Sequence, residues 1–276
     1  MMRRHLLTLT VCCLAACNAE DQPYPEHATY KAKTLDPLPC VPNLDGHIDA
    51  NELKAALGVP AKYLVSTAPR DVSVAGTMTS SGLHWAFTGD YADDRSITIQ
   101  AKSPEGLWFA TEFPTATFVA PFDAGNTLSA IYAETDASIT LLGLASTAEA
   151  PADGKTLIAY DPPIDAYRFP LAPGQTWVSV GTVKNGMIRG LPYAGKDTYE
   201  ITVDAAGSLD LPDITFAQAL RVRSKVTVEP AAGMAIVTRQ ASYVFECFGE
   251  VARVTSASGE ANDDFKTAAE VRRFGF

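Results

Sequence analysis

Residues 220–228 read LRVRSKVTV, and the apolar side chains fall on alternate positions: Leu220, Val222, Val226 and Val228 share one face, Arg221, Arg223, Lys225 and Thr227 the other. Successive side chains point to opposite sides of an extended strand, so this beat marks a strand with one buried and one wet face, the habit of antiparallel sheets. It recurs in TYEITVD (198–204), where Tyr199, Ile201 and Val203 oppose Thr198, Glu200, Thr202 and Asp204. SITIQAK (96–102) repeats it, with Ile97, Ile99 and Ala101 opposite Ser96, Thr98, Gln100 and Lys102. Between such segments lie turn residues: Ala172-Pro173-Gly174-Gln175 suits a type II turn, and glycine-containing breaks follow at Ala206-Gly207 and Ala232-Gly233. About a dozen or more strands and one short helix near 50–57 make the chain mainly β, an antiparallel sandwich or set of barrel-like sheets. The proline-rich stretch Tyr160-Asp161-Pro162-Pro163 places a boundary between two β-rich lobes, 39–160 and 161–276. Trp85, Trp108 and Trp177 sit within strand patterns and are expected to pack in the core. Arg221, Arg223 and Lys225 are expected to form a solvated strand face or, failing that, a docking patch for an acidic partner.

The compartment is written at the other end of the chain. In RRHLLTLTVCCLAACNAE (3–20), two arginines precede an apolar or weakly polar run from Leu6 to Ala16, after which polar residues begin. That is the layout of a secretory signal peptide. A helix over this run would cover about 16 Å, roughly half of a hydrocarbon core, too little for a stable span. Leu14-Ala15-Ala16-Cys17 resembles the lipobox of bacterial lipoproteins. The resemblance implies removal of residues 1–16, attachment of diacylglycerol and a further acyl chain (palmitate-type) at Cys17, and a membrane partner reached through those chains. Asn18 stands where that family's inner-membrane retention signal has aspartate, which implies the outer membrane of a Gram-negative bacterium.

Loss of residues 1–16 removes Arg3 and Arg4 and takes the net charge from −10 to about −12. So acidic a surface disfavours nucleic acid, whose phosphates demand Lys and Arg. Residues 17–38, polar and rich in proline without a period, read as a lipidated tether. Cys40 and Cys247 then remain as an isolated pair, which in an oxidising envelope forms one disulfide; two free buried thiols are the alternative.

The segment VPNLDGHIDANEL (41–53) resembles an EF-hand calcium loop. Asn43, Asp45, the His47 carbonyl, Asp49 and Glu52 would supply the oxygens a hard cation takes, and Gly46 the sharp turn. Val41 occupies the place of the usual first aspartate, and prolines 37, 39 and 42 leave no room for an entering helix. The competing reading is structural: Asp49 and Glu52 form a capping box ahead of a short helix ended by Gly58.

Other signatures fail. GLPYAGK (190–196) is followed by Asp197 rather than Ser or Thr, and by a strand rather than a helix, so it reads as a hairpin turn and not a phosphate loop. Beyond the signal region the histidines are His27, His47 and His84, without the paired spacing of a zinc hydrolase, and no serine-nucleophile elbow occurs. The sequence therefore points to a lipid-anchored envelope protein with a binding or structural role and no evident catalysis, its protein or glycan ligand unnamed. The alternatives are a calcium-dependent binding protein using the loop at 41–52, and an envelope hydrolase whose active site the sequence does not display.

Overall fold

The alternating segments become fifteen strands in the computed structural model, which describes residues 40–275. They are β1 (Pro60–Ser66), β2 (Arg70–Asp71), β3 (Thr77–Thr79), β4 (Gly82–Ala86), β5 (Arg95–Gln100), β6 (Phe118–Pro121), β7 (Leu128–Glu134) and β8 (Ser138–Ser146). The longer ones follow: β9 (Leu157–Arg168), β10 (Thr176–Ile188), β11 (Leu191–Asp210), β12 (Thr215–Pro230), β13 (Ile236–Phe245), β14 (Gly249–Ser256) and β15 (Thr267–Gly275). The segments expected to be signal peptide and tether, with Cys17, and Phe276 lie outside the described residues.

From β6 to β15 each strand pairs antiparallel with the next, and β1 then joins β15 to β5, giving the order β5-β1-β15-β14-β13-β12-β11-β10-β9-β8-β7-β6. The two edges of this sheet nearly meet. Lys102, just past β5, exchanges two backbone hydrogen bonds of 2.9 Å with Val119 of β6. The result is a meander curled almost into a barrel of twelve strands. A barrel of eight is filled by its own side chains, so one of twelve must fill or line a wider interior by other means.

Part of the filling is chain. Residues 40–59 cross one end, touching the connections that open there. Ile48 exchanges two 2.8 Å backbone bonds with Leu171 between β9 and β10, and the Ala55 N–H donates to Glu134 at the end of β7 at 3.1 Å. The Gly58 N–H reaches the Ala101 carbonyl at 2.8 Å, and the Cys247 N–H, in the β13–β14 turn, reaches the Glu52 carbonyl at 2.7 Å. Ile48 and Leu53 thereby join Phe118 of β6 and Trp177, Ile201 and Val222 of β10 to β12 in one interior cluster that links distant parts of the sheet. The expected helix here is a single 3-10 turn, Ala50–Glu52: the Glu52 carboxylate does accept from the Asp49 N–H at 2.9 Å, but the chain must leave the turn to span the barrel end.

The outside is covered too. Val119, Ile131, Leu142 and Ala145 point outward against Phe109 and Phe113 of the 103–117 segment. Tyr243, Ala252, Val254 and Val271 point outward against Val74, Trp85, Phe87 and Phe265. β11 outlasts β10, and its free edge takes β4 in parallel, Leu209 opposite Trp85. Gly207, expected to end a strand, instead lies within β11 because a Cβ there would stand 2.3 Å from the Leu83 carbonyl oxygen. Gly174 does take the positive φ of its turn, +95°, with the Gln175 N–H bonded back to Ala172.

Two expectations change with this architecture. Tyr160–Pro163 lies inside β9, where four residues bulge against Leu142 of β8, and all described residues belong to one compact unit. A bulge is the one place in a sheet interior where prolines without N–H donors fit. The basic row shares a face as expected, but Arg221 is buried and Arg223 largely so. Asp204 holds both, at 2.8 Å from Arg221 Nε and 2.6 Å from Arg223 Nε, and Asp264 holds Arg223 from the 257–266 connection.

Candidate functional site

The calcium-like loop is spatially contiguous, and several of its polar groups bond to one another or to Glu246. The Asn43 side-chain amide donates to Glu52 at 2.8 Å, while its oxygen accepts from the Asp45 N–H at 2.9 Å. His47 lies between Asp45, 3.0 Å from Nδ1, and Asp49, 3.7 Å from Nε2. Glu52 is buried, and Glu246 caps the loop by accepting from the N–H groups of Asn43 and Leu44 at 2.6 and 2.9 Å. Asn43 and Glu52 are thus joined directly to each other, whereas Asp45 and Asp49 face His47. Among the described residues no group of three or more His, Cys, Asp or Glu side chains converges on one point. Cys40 and Cys247 form the expected disulfide beside this loop, Cα to Cα 5.6 Å, closing a span of 207 residues.

The polar machinery of the molecule lies elsewhere, inside the barrel. On β14 and β15 the outward residues are Val254 and Val271, so Arg253 and Arg272, opposite each other in register, point inward. Glu270 shares their face and Glu250 comes in from the start of β14. Arg272 reaches Glu270 at 3.2 Å. The Arg253 guanidinium stands 3.6 Å from Glu250 and 3.8 Å from Glu270, outside hydrogen-bond reach. Ser242 donates to Glu250 at 2.7 Å, and the Tyr63 hydroxyl donates to the Glu250 carbonyl at 2.7 Å. Tyr132 of β7 and Tyr167 of β9 complete the ring from the far wall; both are electrostatically coupled to Arg253 and Glu250.

Charge and burial set the electrostatics of this chamber. Burial pushes the Tyr132 hydroxyl up to about 12 and raises Tyr63 and Tyr167 well above the ordinary tyrosine value, so all three are neutral donors at any physiological pH. Burial also pulls the Arg253 guanidinium down, but Glu250 and Glu270 outweigh it and its pKa ends above the ordinary value. For Arg272 burial prevails, reinforced by the neighbouring Arg253, and its pKa is lowered. Arg253, Glu250 and Glu270 nonetheless keep 16%, 25% and 24% of their side-chain surface accessible, so the barrel interior here is a chamber rather than a solid core.

Toward the uncrossed end the interior turns apolar, with Leu141, Leu144, Ile158, Ile164 and Val183. Within this layer the buried Asp197 accepts from the Tyr160 hydroxyl at 2.7 Å; burial raises its pKa, partly offset by that bond. The layer surfaces as a groove of about 670 Å³ whose apolar wall is Leu128, Leu144, Ile158 and Ile188 and whose rim carries Asn126, Thr147, Asp153 and Arg189.

Sequence reasoning missed the chamber residues because an inward charge in a wide barrel obeys the same two-residue period as an outward one. The signal that was available is the pair of adjacent strands, GEVARVTS and TAAEVRRFG, each carrying both signs of charge alternating with valine.

Outside the barrel, carboxylates pin the covering segments. Asp93 accepts from the Ser66 hydroxyl and the N–H groups of Thr67 and Ala68, and these bonds, with Arg70 beside them, hold its carboxyl well below the ordinary 3.8. Asp210 is lowered likewise, by Thr215 first and His84 second. A folded-state pKa below the unfolded one stabilises the fold above the unfolded value, and that contribution disappears as pH falls through 3.8 and lower. Thermal melts between pH 3 and pH 7 should accordingly show a steep acid limb, shallower in Asp93→Asn, which starts less stable at pH 7. Identical slopes in the two proteins would contradict this assignment. Comparison with known protein families, curated proteins and solved structures finds no match to this chain.

Proposed function

We propose that this chain is a lipid-anchored binding protein of the bacterial envelope, which seats a small, mainly apolar ligand in the groove at the uncrossed end of its barrel. The observation that carries the reading is the asymmetry of the two ends. One is crossed by residues 40–59 and sealed by a disulfide. The other exposes a concave apolar wall with a polar rim, of a volume typical for small-molecule sites. The outward faces of β10 to β12 support a water-exposed barrel, not a lipid-embedded one: Lys184, Lys196, Glu200, Lys225 and Glu229 lie there, several in ion pairs. Anchoring then rests on the acyl chains expected at Cys17, since burying several chains gives stable membrane attachment.

The groove is tested with the neutral apolar dye Nile red. One binding event with a blue-shifted emission is expected, weakened by about tenfold or more when the half-buried Leu128 or Ile188 becomes Arg, a change that puts a charge on the apolar wall. Equal binding by wild type and both variants, or none by wild type, refutes the groove. The anchor is tested separately by Cys17→Ser: the protein should leave the membrane fraction, and a variant that stays there refutes lipidation at Cys17.

A further inference from the structure

In the chamber between Arg253 and the two tyrosines, Arg253 is paired with Glu250 and Glu270 by charge alone, at 3.6 and 3.8 Å, and its donors make no hydrogen bond among the described residues. The Nε atoms of Arg253 and Arg272 are buried without a partner, although the Arg272 side chain is only 4% exposed and its terminal nitrogen is held by Glu270. On the opposite wall the hydroxyls of Tyr132 and Tyr167 make no hydrogen bond among the described residues either, and Arg253 is near enough to favour the ionised form of both against the dominant effect of burial. Unpaired donors away from bulk water cost roughly 1–3 kcal/mol each, so the two buried Nε atoms, across from the half-buried tyrosines, mark a place that asks for an acceptor.

From this convergence we infer that the chamber is a second binding site, for the carboxylate of a small monoanionic acid. The guanidinium of Arg253 offers a planar fork that matches a carboxylate, and charge-assisted hydrogen bonds of this kind are the strong ones. Tyr132 and Tyr167 stay protonated and add two neutral donors from the other side, where a carboxylate has lone pairs left. The glutamates decide the charge of the ligand. Arg253 and Arg272 are balanced by Glu250 and Glu270, so one added negative charge leaves the chamber at about −1, whereas a phosphate dianion would meet the two carboxylates with twice the repulsion. The residues that line the groove are different ones, although Tyr132 packs against the apolar cluster that the groove exposes.

Calorimetry on the full mature chain in detergent tests the site with butyrate as the probe, and with butyramide and inorganic phosphate as comparators. Butyrate should bind in the micromolar to millimolar range, and both comparators about tenfold or more weaker. Arg253→Lys keeps the charge but loses the fork and should weaken butyrate by about tenfold. The double variant Tyr132→Phe/Tyr167→Phe, which removes two hydroxyls and little volume, should weaken it by roughly three- to tenfold. Lys184→Gln, on the outer face of the barrel, should leave butyrate binding unchanged. Should Arg253→Lys fail to fold, the tyrosine variant decides alone. The inference is overturned by absence of butyrate binding to the wild type, by equal binding of butyramide, or by a folded tyrosine variant with undiminished affinity.

Discussion

Replacing Arg273 by Met is expected to destabilise the protein by about 3–5 kcal/mol, the usual result of stripping one partner from a buried ion pair. Arg273 is fully buried on the outward face of β15, and its guanidinium donates to the carbonyls of Phe87 (3.0 Å) and Gly89 and to Asp94, while lying 4.1 Å over the Tyr91 ring. Methionine fills much of the volume and satisfies none of these acceptors. Asp94, only 15% exposed, would be left as a mostly buried charge with a single remaining donor, the Tyr91 N–H at 3.1 Å. Removing both charges should hurt less than removing one: in Arg273→Met/Asp94→Leu much of the loss should return. Urea unfolding of the wild type, both single variants and the double variant measures this. A double variant less stable than Arg273→Met alone would show that the segment at 87–94 is held by packing and not by the pair.

Breaking the Cys40–Cys247 bridge, by Cys40→Ser/Cys247→Ser, should lower stability by an amount of similar size. Closing a span of 207 residues removes on the order of 5 kcal/mol of unfolded-chain entropy by the loop-length relation, and native bridges typically contribute about 2–5. The loss should have a local face as well. Residues 41–59 would still be tied by the Ile48–Leu171 pair and by the Glu246 and Glu52 bonds, but their first anchor would be gone. Amide exchange should therefore accelerate at Asn43, Leu44 and Ile48 before it does in β11 or β12, in the manner of a segment that opens by itself. An unchanged unfolding midpoint would show the reduced chain to be as constrained as the oxidised one.

How much of this was legible in the sequence varies by element. β5, β11 and β12 announced themselves, because Ile97, Ile99, Tyr199, Ile201, Val203, Leu220 and Val222 obey a period of two and all face inward. The cysteine pair was legible from its count and from the oxidising compartment that the N-terminal sequence implies. What alternation cannot encode is which side of the strand is the inside. On β14 and β15 the valines face out, under the covering segments, and the arginines face in, so a reader who equates polar with solvent inverts them. Arg221 and Arg223 escaped for a related reason: the carboxylate that holds both, Asp204, was read as a solvent-facing residue of its own strand, and Asp264 lies 41 residues from Arg223. Tyr160–Pro163 looked like a boundary since prolines end strands locally, and only the pairing of β8 with β9 shows that they occupy a bulge.

The bridge at Cys40 also determines how the protein bears force. Tension applied along the chain ahead of residue 40 is not delivered first to the separate hydrogen bonds of residues 41–59, which would open one at a time. It passes through sulfur to the β13–β14 turn, where the ladders of β12, β13, β14 and β15 share the load in parallel. A barrel tugged from its N-terminal side is thus gripped by its wall and not by its stopper. The stopper remains seated under strain that would otherwise extract it.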